Sequence, residues 1–324
     1  MTDISVVVPT RNRAERLRAL LASLAGQEGP SFEVIVVDNA SRDSTPAVVA
    51  QAGAAHIRLP QPLGPAVARN HGWQAATGEL VVFTDDDVVA QPGWLAAIAA
   101  VHEHDPDALI QGRTEPDPRE LHRLAAFSRS QTATGPGPWF QTCNIAYPRA
   151  LLERLGGFDE SFWEAAGEDT DLGWRAVEAG TRVIYEPNAV NWHAVHEPGA
   201  LVLIRASQKW RIAVRNLKRH PQLRDALHRR IFWKPAHERL LIAIAGMALA
   251  GMAGRGSQEA MRRGSRAIPI GVAAAAITPY LALQRTQHGS YPGTVAALPA
   301  HVALDAAEIV AMVRGSLAAG TLVL

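Results

Sequence analysis

The chain has 324 residues, enough for one large domain or two ordinary ones, and 48% of them are apolar, enough for a real core. The net charge of +1 hides two opposed halves: residues 1–204 carry 15 Lys/Arg against 26 Asp/Glu (15 − 26 = −11), and residues 205–324 carry 17 against 5 (17 − 5 = +12). An acidic half joined to a basic half points to two jobs in two places, and the single cysteine, Cys143, excludes an intrachain disulfide and fits a reducing compartment.

No basic start followed by an apolar stretch opens the chain, so a secretory signal is not expected, and no fixed-period repeat is evident. Ile4 to Thr10 reads as a buried strand ended by Pro9. Asn12 is placed to cap a helix over about 13–27, with Leu17, Leu20, Leu21 and Leu24 on one face. A second strand covers Phe32 to Asp38, and a polar turn at Ser41 to Ser44 leads into a helix from Pro46 to about Ala52. A weak third strand at 56–59, a helix at 65–76 and a strand from Leu80 to Phe83 follow. This β-α-β-α alternation predicts a doubly wound, mostly parallel sheet. Its ligand crevice should lie at the carboxyl ends of the strands, where Pro9, Thr10, Arg11, Asp38 and Asp85 to Asp87 all fall.

The first strand-to-helix turn is Pro-Thr-Arg-Asn-Arg. It lacks the glycine fingerprint of a dinucleotide fold and the lysine of a phosphate loop. Asp38 can accept hydrogen bonds from a base or ribose, or cap the turn at Ser41. Arg69 can meet a phosphate or base edge, or lie in solvent on its helix. Asp85, Asp86 and Asp87 repel one another unless a positive group sits among them, and a divalent cation is the simplest candidate.

After the triplet, a helix is expected to about Glu103, a strand over 108–112 and a Pro-rich loop over 113–120. Trp139 is either core or a platform for a sugar. Glu168, Asp169 and Asp171 open a helix after Gly167, where the helix dipole favours acids and where one carboxylate can serve as a general base. A strand over 182–186 is followed by His193.

Six segments now stand in a particular order: Val-Val-Pro-Thr-Arg-Asn, Val-Val-Asp-Asn-Ala-Ser, Ala-Arg-Asn-His-Gly, the Asp85/Asp87 pair, Gly-Gly-Phe-Asp-Glu and Glu-Asp-Thr-Asp-Leu-Gly-Trp-Arg. Together, over about residues 4–195, they resemble a family 2 glycosyltransferase of the GT-A fold. The resemblance implies inverting transfer from a nucleotide-diphosphate sugar to an acceptor hydroxyl. It implies that Pro9, Thr10, Arg11, Asp38 and Arg69, with Asp85 and Asp86 from the triplet, face the nucleotide. Asp85 and Asp87 would hold Mg²⁺ or Mn²⁺, joined by His193, with His196 as a rival, while Asp86 has no direct metal role. Asp169 is the implied base, and Trp139, Glu168 and Asp171 are the acceptor-facing candidates. Two alternatives are a nucleotide-sugar binding protein with a degenerate site and a nucleotidyltransferase. Intact acidic motifs argue against the first, and the absence of a Gly-rich basic first loop argues against the second.

The basic half begins as a connector, residues 205–239, with 11 Lys/Arg, two acids and the aromatics Trp210, Phe232 and Trp233. An apolar helical tail, residues 240–324, holds two uncharged runs, Leu240 to Gly254 and Ala267 to Leu283, with Arg255, Arg262, Arg263 and Arg266 between them. Both runs are at or below the ~20 residues that span a bilayer. An arginine-rich connection facing outward would oppose the positive-inside tendency, so in-plane or re-entrant helices stand level with a two-span hairpin, and a soluble Ala-rich helical bundle is the third reading. Basic residues beside aromatics suit anionic headgroups rather than nucleic acid. A catalytic domain over 1–204 at the cytoplasmic face of the cell membrane, acting on a lipid-linked or glycan acceptor, is the expected arrangement.

Overall fold

The computed structural model describes residues 3–255, 267–288 and 294–324. Contacts within the chain divide it into two compact units, Met1–Arg123 with Arg129–His196, and Leu124–Ser128 with Glu197–Leu324.

The first unit alternates as the sequence predicts: β1 (Ile4–Thr10), α1 (Ala14–Ala25), β2 (Phe32–Asp38), α2 (Thr45–Ala52), β3 (Ala55–Arg58), α3 (Pro65–Ala75) and β4 (Leu80–Phe83). It continues with β5 (Val88–Ala90), α4 (Trp94–His104), β6 (Leu109–Pro116), β7 (Ile145–Pro148), α5 (Arg149–Leu155), α6 (Glu168–Glu178) and β8 (Val183–His193). The eight strands form one sheet in the order β3-β2-β1-β4-β7-β6-β8-β5. The pairs β1·β2, β1·β4, β2·β3 and β6·β8 are parallel, whereas β7 runs antiparallel to both β4 and β6, and β5 runs antiparallel to β8. The sheet is thus parallel-dominated and mixed.

Alternation along each strand divides the core between the two faces. Val6, Val8 and Val36 pack with Leu17, Leu20, Trp94 and Ile98 on one side. Val7, Ile35 and Val37 pack with Ala68, Trp73, Leu151 and Leu172 on the other. Burial of both faces is why these strands read as continuous apolar runs. Gly72 lets α3 lie close on β1, since a Cβ there would fall 2.3 Å from Val7 Cγ1.

Three local expectations are corrected. Asn12 does not cap α1: its backbone is left-handed (φ 53°) and its Oδ1 accepts from the Arg42 N–H, while Asp43 Oδ2 accepts from the Ala14 N–H at the helix start. Residues 113–120 are not a loop. β6 runs to Pro116, because β8 extends to His193 and gives the added backbone a partner after a register shift at Gly112/Arg113, and a 3₁₀ turn covers Pro118–Arg123. The last strand is accordingly longer than residues 182–186. β5 and β7 carried too few residues to be foreseen.

The second unit is helical: α7 (Ala200–Ala206), α8 (Trp210–Arg219), α9 (Pro235–Arg255), α10 (Ala267–His288) and α11 (Thr294–Ala319). The basic connector folds as α8 with Ile212, Val214 and Leu217 buried, and Trp210 and Trp233 stand 5.7 Å apart. The two uncharged runs lie in α9 and α10, while Arg262, Arg263 and Arg266 lie outside the described residues. Among the described residues, one helical segment is long and apolar enough to cross a membrane, Ala296–Ala319, with a mean hydropathy of 1.5. It is neither of those two runs.

Candidate active site

The carboxyl ends of β1, β2 and β4 bring Thr10, Asp38 and the aspartate triplet to one edge of the sheet. The triplet is splayed, so each acid meets different partners. Asp85 Oδ1 accepts from Arg69 Nη2 at 3.1 Å. The Asp86 carboxylate is buried, accepting from Thr10 Oγ1 at 2.7 Å and from Arg13 Nη1 at 3.0 Å. Burial dominates there and pushes its pKa up to about 6, against the pull of Arg13.

Asp87 faces two histidines. The antiparallel pairing of β5 with β8 sets Val88 opposite His193, and the Ala194 N–H donates to the Asp87 backbone carbonyl at 2.9 Å. His193 Nε2 then lies 3.4 Å from Asp87 Oδ1, and His196 Nε2 lies 2.7 Å from Asp87 Oδ2, which also accepts from Arg13 Nη1 at 2.6 Å. Burial would raise the Asp87 pKa. The His196 hydrogen bond and the charges of His193 and Arg13 outweigh that and hold it well below the usual carboxylate range.

One detail bears on a cation. His193 Nδ1 is 2.9 Å from the Ala194 carbonyl, which only accepts, so Nδ1 carries the proton. Nε2 lies 3.4 Å from Asp87 Oδ1, a buried oxygen without a hydrogen-bond donor: a protonated ring pairs with it directly, and a neutral ring presents a lone pair to it. Two acceptors facing each other are stabilised by a cation between them, and a carbonyl-anchored imidazole is how ligating histidines are oriented. Ligand atoms of Asp87, His193 and His196 lie within 4.8 Å of one another. This donor set fits a divalent metal ion.

Arg69 joins the two acidic motifs. Its Nη1 donates to Glu168 Oε1 at 3.0 Å while its Nη2 holds Asp85, and its guanidinium lies 5.8 Å from the centre of the Phe158 ring. Glu168 Oε2 accepts from the Ala166 N–H at 2.9 Å, so both of its oxygens are engaged. Asp169 is half-buried, and its Oδ1 accepts from the Thr170 N–H at 2.8 Å. Burial first, then the charges of Glu168 and Asp85, push its pKa up to about 7, with Arg69 opposing. That range suits a general base.

The set expected to hold a metal, Asp85, Asp87 and His193, is brought together only in part: Asp85 turns to Arg69, and the rival His196 joins His193 at Asp87. Asp38 takes the capping role foreseen as one of its two readings. Oδ1 caps the turn at the Ser41 N–H (2.7 Å), and buried Oδ2 has no hydrogen-bond donor. Pro9 is half-buried and pairs with Val37, and Arg11 is exposed at the edge of the crevice. Trp139 is half-buried, and its carbonyl accepts from Thr170 Oγ1 at 2.9 Å, which ties its loop to the start of α6.

Asp171 stands apart from the acceptor-facing group. Two residues along a helix turn the side chain by about 200°, so Asp171 leaves the Asp169 side, is buried, and pairs with Arg175 Nε at 2.8 Å. Arg175 in turn donates to the Leu155 and Gly157 carbonyls, so this pair fastens α6 to the Gly-Gly-Phe-Asp-Glu turn. Arg13 was not foreseen at the site. Its signal was its place three residues after Thr10 at the start of α1, facing the strand that ends in the triplet.

With this geometry in place, residues 5–156 match the family described as "Glycosyl transferase family 2". Over 207 residues the chain is 34% identical to the pre-mycofactocin glycosyltransferase of Mycobacterium tuberculosis, covering 59% of this chain and 42% of that protein. It is 32% identical over 236 residues to the validoxylamine A glucosyltransferase of Streptomyces hygroscopicus subsp. jinggangensis, covering 60% and 56%. Its structure is similar to that of a mannosyltransferase from Pyrobaculum calidifontis, solved in complex with GDP-Man and Mn²⁺, at a TM-score of 0.59 and 25% identity over 96% of this chain and 86% of that one. Residues 5–156 carry the match to glycosyl transferase family 2, and the fold of the first unit is of the GT-A type. The chain spans about half the length of the curated relatives it matches.

Proposed function

We propose that the chain is a metal-dependent inverting glycosyltransferase, moving a sugar from a nucleotide-diphosphate donor to an acceptor hydroxyl. The observation that carries this reading is the bridge through Arg69, which ties the triplet edge to the start of α6 and sets Asp169 beside it with a pKa near neutrality.

In this reading the nucleotide lies along the carboxyl ends of β1 and β2. Asp38 Oδ2, which has no hydrogen-bond donor and lies 3.7 Å from His56 Nε2, suits a ribose hydroxyl or a base N–H there, and Thr10 orders Asp86 beneath the diphosphate. Asp87, His193 and His196 would hold Mn²⁺ or Mg²⁺, with Asp85 at the edge of the set. The ion would offset the charge that grows on the diphosphate as it leaves. Asp169 accepts the proton of the acceptor hydroxyl as that oxygen attacks the anomeric carbon from the face opposite the diphosphate, which inverts the centre. Glu168 holds Arg69 in place rather than reaching the acceptor, and Trp139 flanks the acceptor side. The similar mannosyltransferase with GDP-Man and Mn²⁺ supports both the donor class and the ion.

We further propose that the acceptor is a glycan or lipid-linked precursor of a glycoconjugate, presented at the cytoplasmic face of the cell membrane. The basic, apolar second unit supports that placement. The test is transfer and donor hydrolysis across a panel of nucleotide sugars with and without Mn²⁺. Full activity in the presence of a chelator would overturn the role given to Asp87 and its histidines.

A further inference from the structure

Among the described residues, length and mean hydropathy select α11 as the element that meets a membrane. The structure assigns that role to the hairpin of α9 and α10 instead. We propose that this hairpin inserts into the hydrocarbon of an anionic bilayer, while α11 is its internal strut. The proposal deepens the membrane part of the function above, and vesicle binding can fail while donor hydrolysis by the first unit persists.

Three observations carry it. First, α11 holds buried charges that a lone bilayer-crossing helix would leave in lipid. Asp305 and Glu308 are buried on it, and Lys234 Nζ lies 2.6 Å from both. Tyr280 OH and Gln284 Nε2 donate to Asp305 Oδ2 at 2.7 and 2.9 Å. These bonds fix the roots of α9 and α10 to α11.

Second, the hairpin exposes apolar side chains on both of its helices. Ile242, Met247, Leu249 and Met252 are exposed on α9, and Val272 and Leu281 on α10. From Leu240 to Gly254 there is no polar side chain at all. A helix lying in the interface plane needs a polar face, so insertion fits α9 and flat adsorption does not. The two helices meet closely, since a Cβ on Gly246 would fall 2.3 Å from Ala276 Cβ. Small residues at such a contact are the usual means of pairing helices in lipid.

Third, charge marks the ends. Arg229, Arg230 and Arg239 precede the first uncharged run, and Arg255, Arg262, Arg263 and Arg266 stand between the two runs. Fifteen and 17 residues give uncharged lengths of roughly 22 and 25 Å at about 1.5 Å per residue. Both lengths fall short of a ~30 Å hydrocarbon core, and arginines next to each run in the sequence lengthen its reach. Basic residues at both ends complement an anionic lipid surface.

The experiment is flotation of the full chain with vesicles of phosphatidylcholine, with or without phosphatidylglycerol, comparing wild type, Leu249→Glu/Met252→Glu and Leu317→Glu. All three substituted side chains are exposed, so folding is retained and is checked by donor hydrolysis. Wild type and Leu317→Glu should float with phosphatidylglycerol vesicles and several-fold less without them, and the double variant should lose at least tenfold. Loss confined to Leu317→Glu would return the role to α11. Wild type that ignores vesicles, binds both kinds equally, or runs as a stable dimer through this face without lipid would each overturn the proposal.

Discussion

Each of the two units contains a buried cluster of acids and histidine within 4.8 Å: Asp87, His193 and His196 in the first, and His237, Asp305 and Glu308 in the second. They differ in what supplies the positive charge. In the helical unit Lys234 reaches both carboxylates, and His237 Nε2 lies 3.2 Å from Glu308, so the cation is built into the chain. In the sheet unit Arg13 and His196 share one oxygen of Asp87, and the other lies 3.4 Å from His193 Nε2 with no hydrogen-bond donor. A buried cluster in which a built-in cation reaches every carboxylate is a fastening. One that leaves an acceptor unpaired is prepared for something that arrives.

The comparison can be broken in four ways, taken from the largest expected effect. Asp169→Asn should lower transfer by roughly a hundred- to ten-thousand-fold, with nucleotide binding kept, as read by kcat and donor titration. The sign of its stability effect is also set. The folded pKa of Asp169, about 7, lies above its ordinary value, so the group stabilises the fold below about pH 4 and loses that contribution as pH rises through 7. The asparagine variant should therefore unfold at a higher temperature than wild type at pH 8. A lower midpoint would mean that the lost activity reflects a damaged fold.

Lys234→Met should come next. It strands two buried carboxylates, and breaking a buried pair costs about 3–5 kcal/mol. Thermal unfolding should show the loss in the helical unit, while hydrolysis of the donor continues. A variant as stable as wild type would remove the distinction between the clusters. The third effect belongs to the first unit. His193→Ala should weaken Mn²⁺ binding by roughly tenfold or more, measured directly on protein without donor, and should leave the unfolding midpoint nearly unchanged. Unaltered metal affinity would make His193 a structural partner like His237.

The smallest effect is a shift in a pH profile. Transfer needs Asp169 deprotonated, so kcat/KM should rise with pH and reach half its plateau near pH 7. Glu168→Gln removes a like charge and should move that limb to lower pH. A limb that stays in place would show that Glu168 does not act on Asp169 through its charge.

The parallel half of the sheet was legible because burial of both faces makes β1, β2 and β4 continuous apolar runs, and Pro, Gly and polar turns mark their ends. β7 and β5 were not, since four and three residues leave no period to read. At the site, the acids were found by type and order, but their partners were not. Arg69 was read as meeting a phosphate or base edge, or as lying in solvent; it is buried and donates to Asp85 and Glu168, which lie 16 and 99 residues away in the chain. In the helical unit the sequence singled out the two uncharged runs, while the burial of Asp305 and Glu308 on α11 was not foreseen.

The sequence by itself determined the resemblance to the family, the alternation from β1 to β4 and the candidate acids of the site, because periodicity and residue type are local. Tertiary structure decided what each charge faces. The β5–β8 register brings His193 to Asp87, the helical turn between Asp169 and Asp171 separates a candidate base from a structural acid, and Lys234 closes the second cluster. A charge takes its role from neighbours within a few ångströms, and those neighbours come from distant parts of the chain.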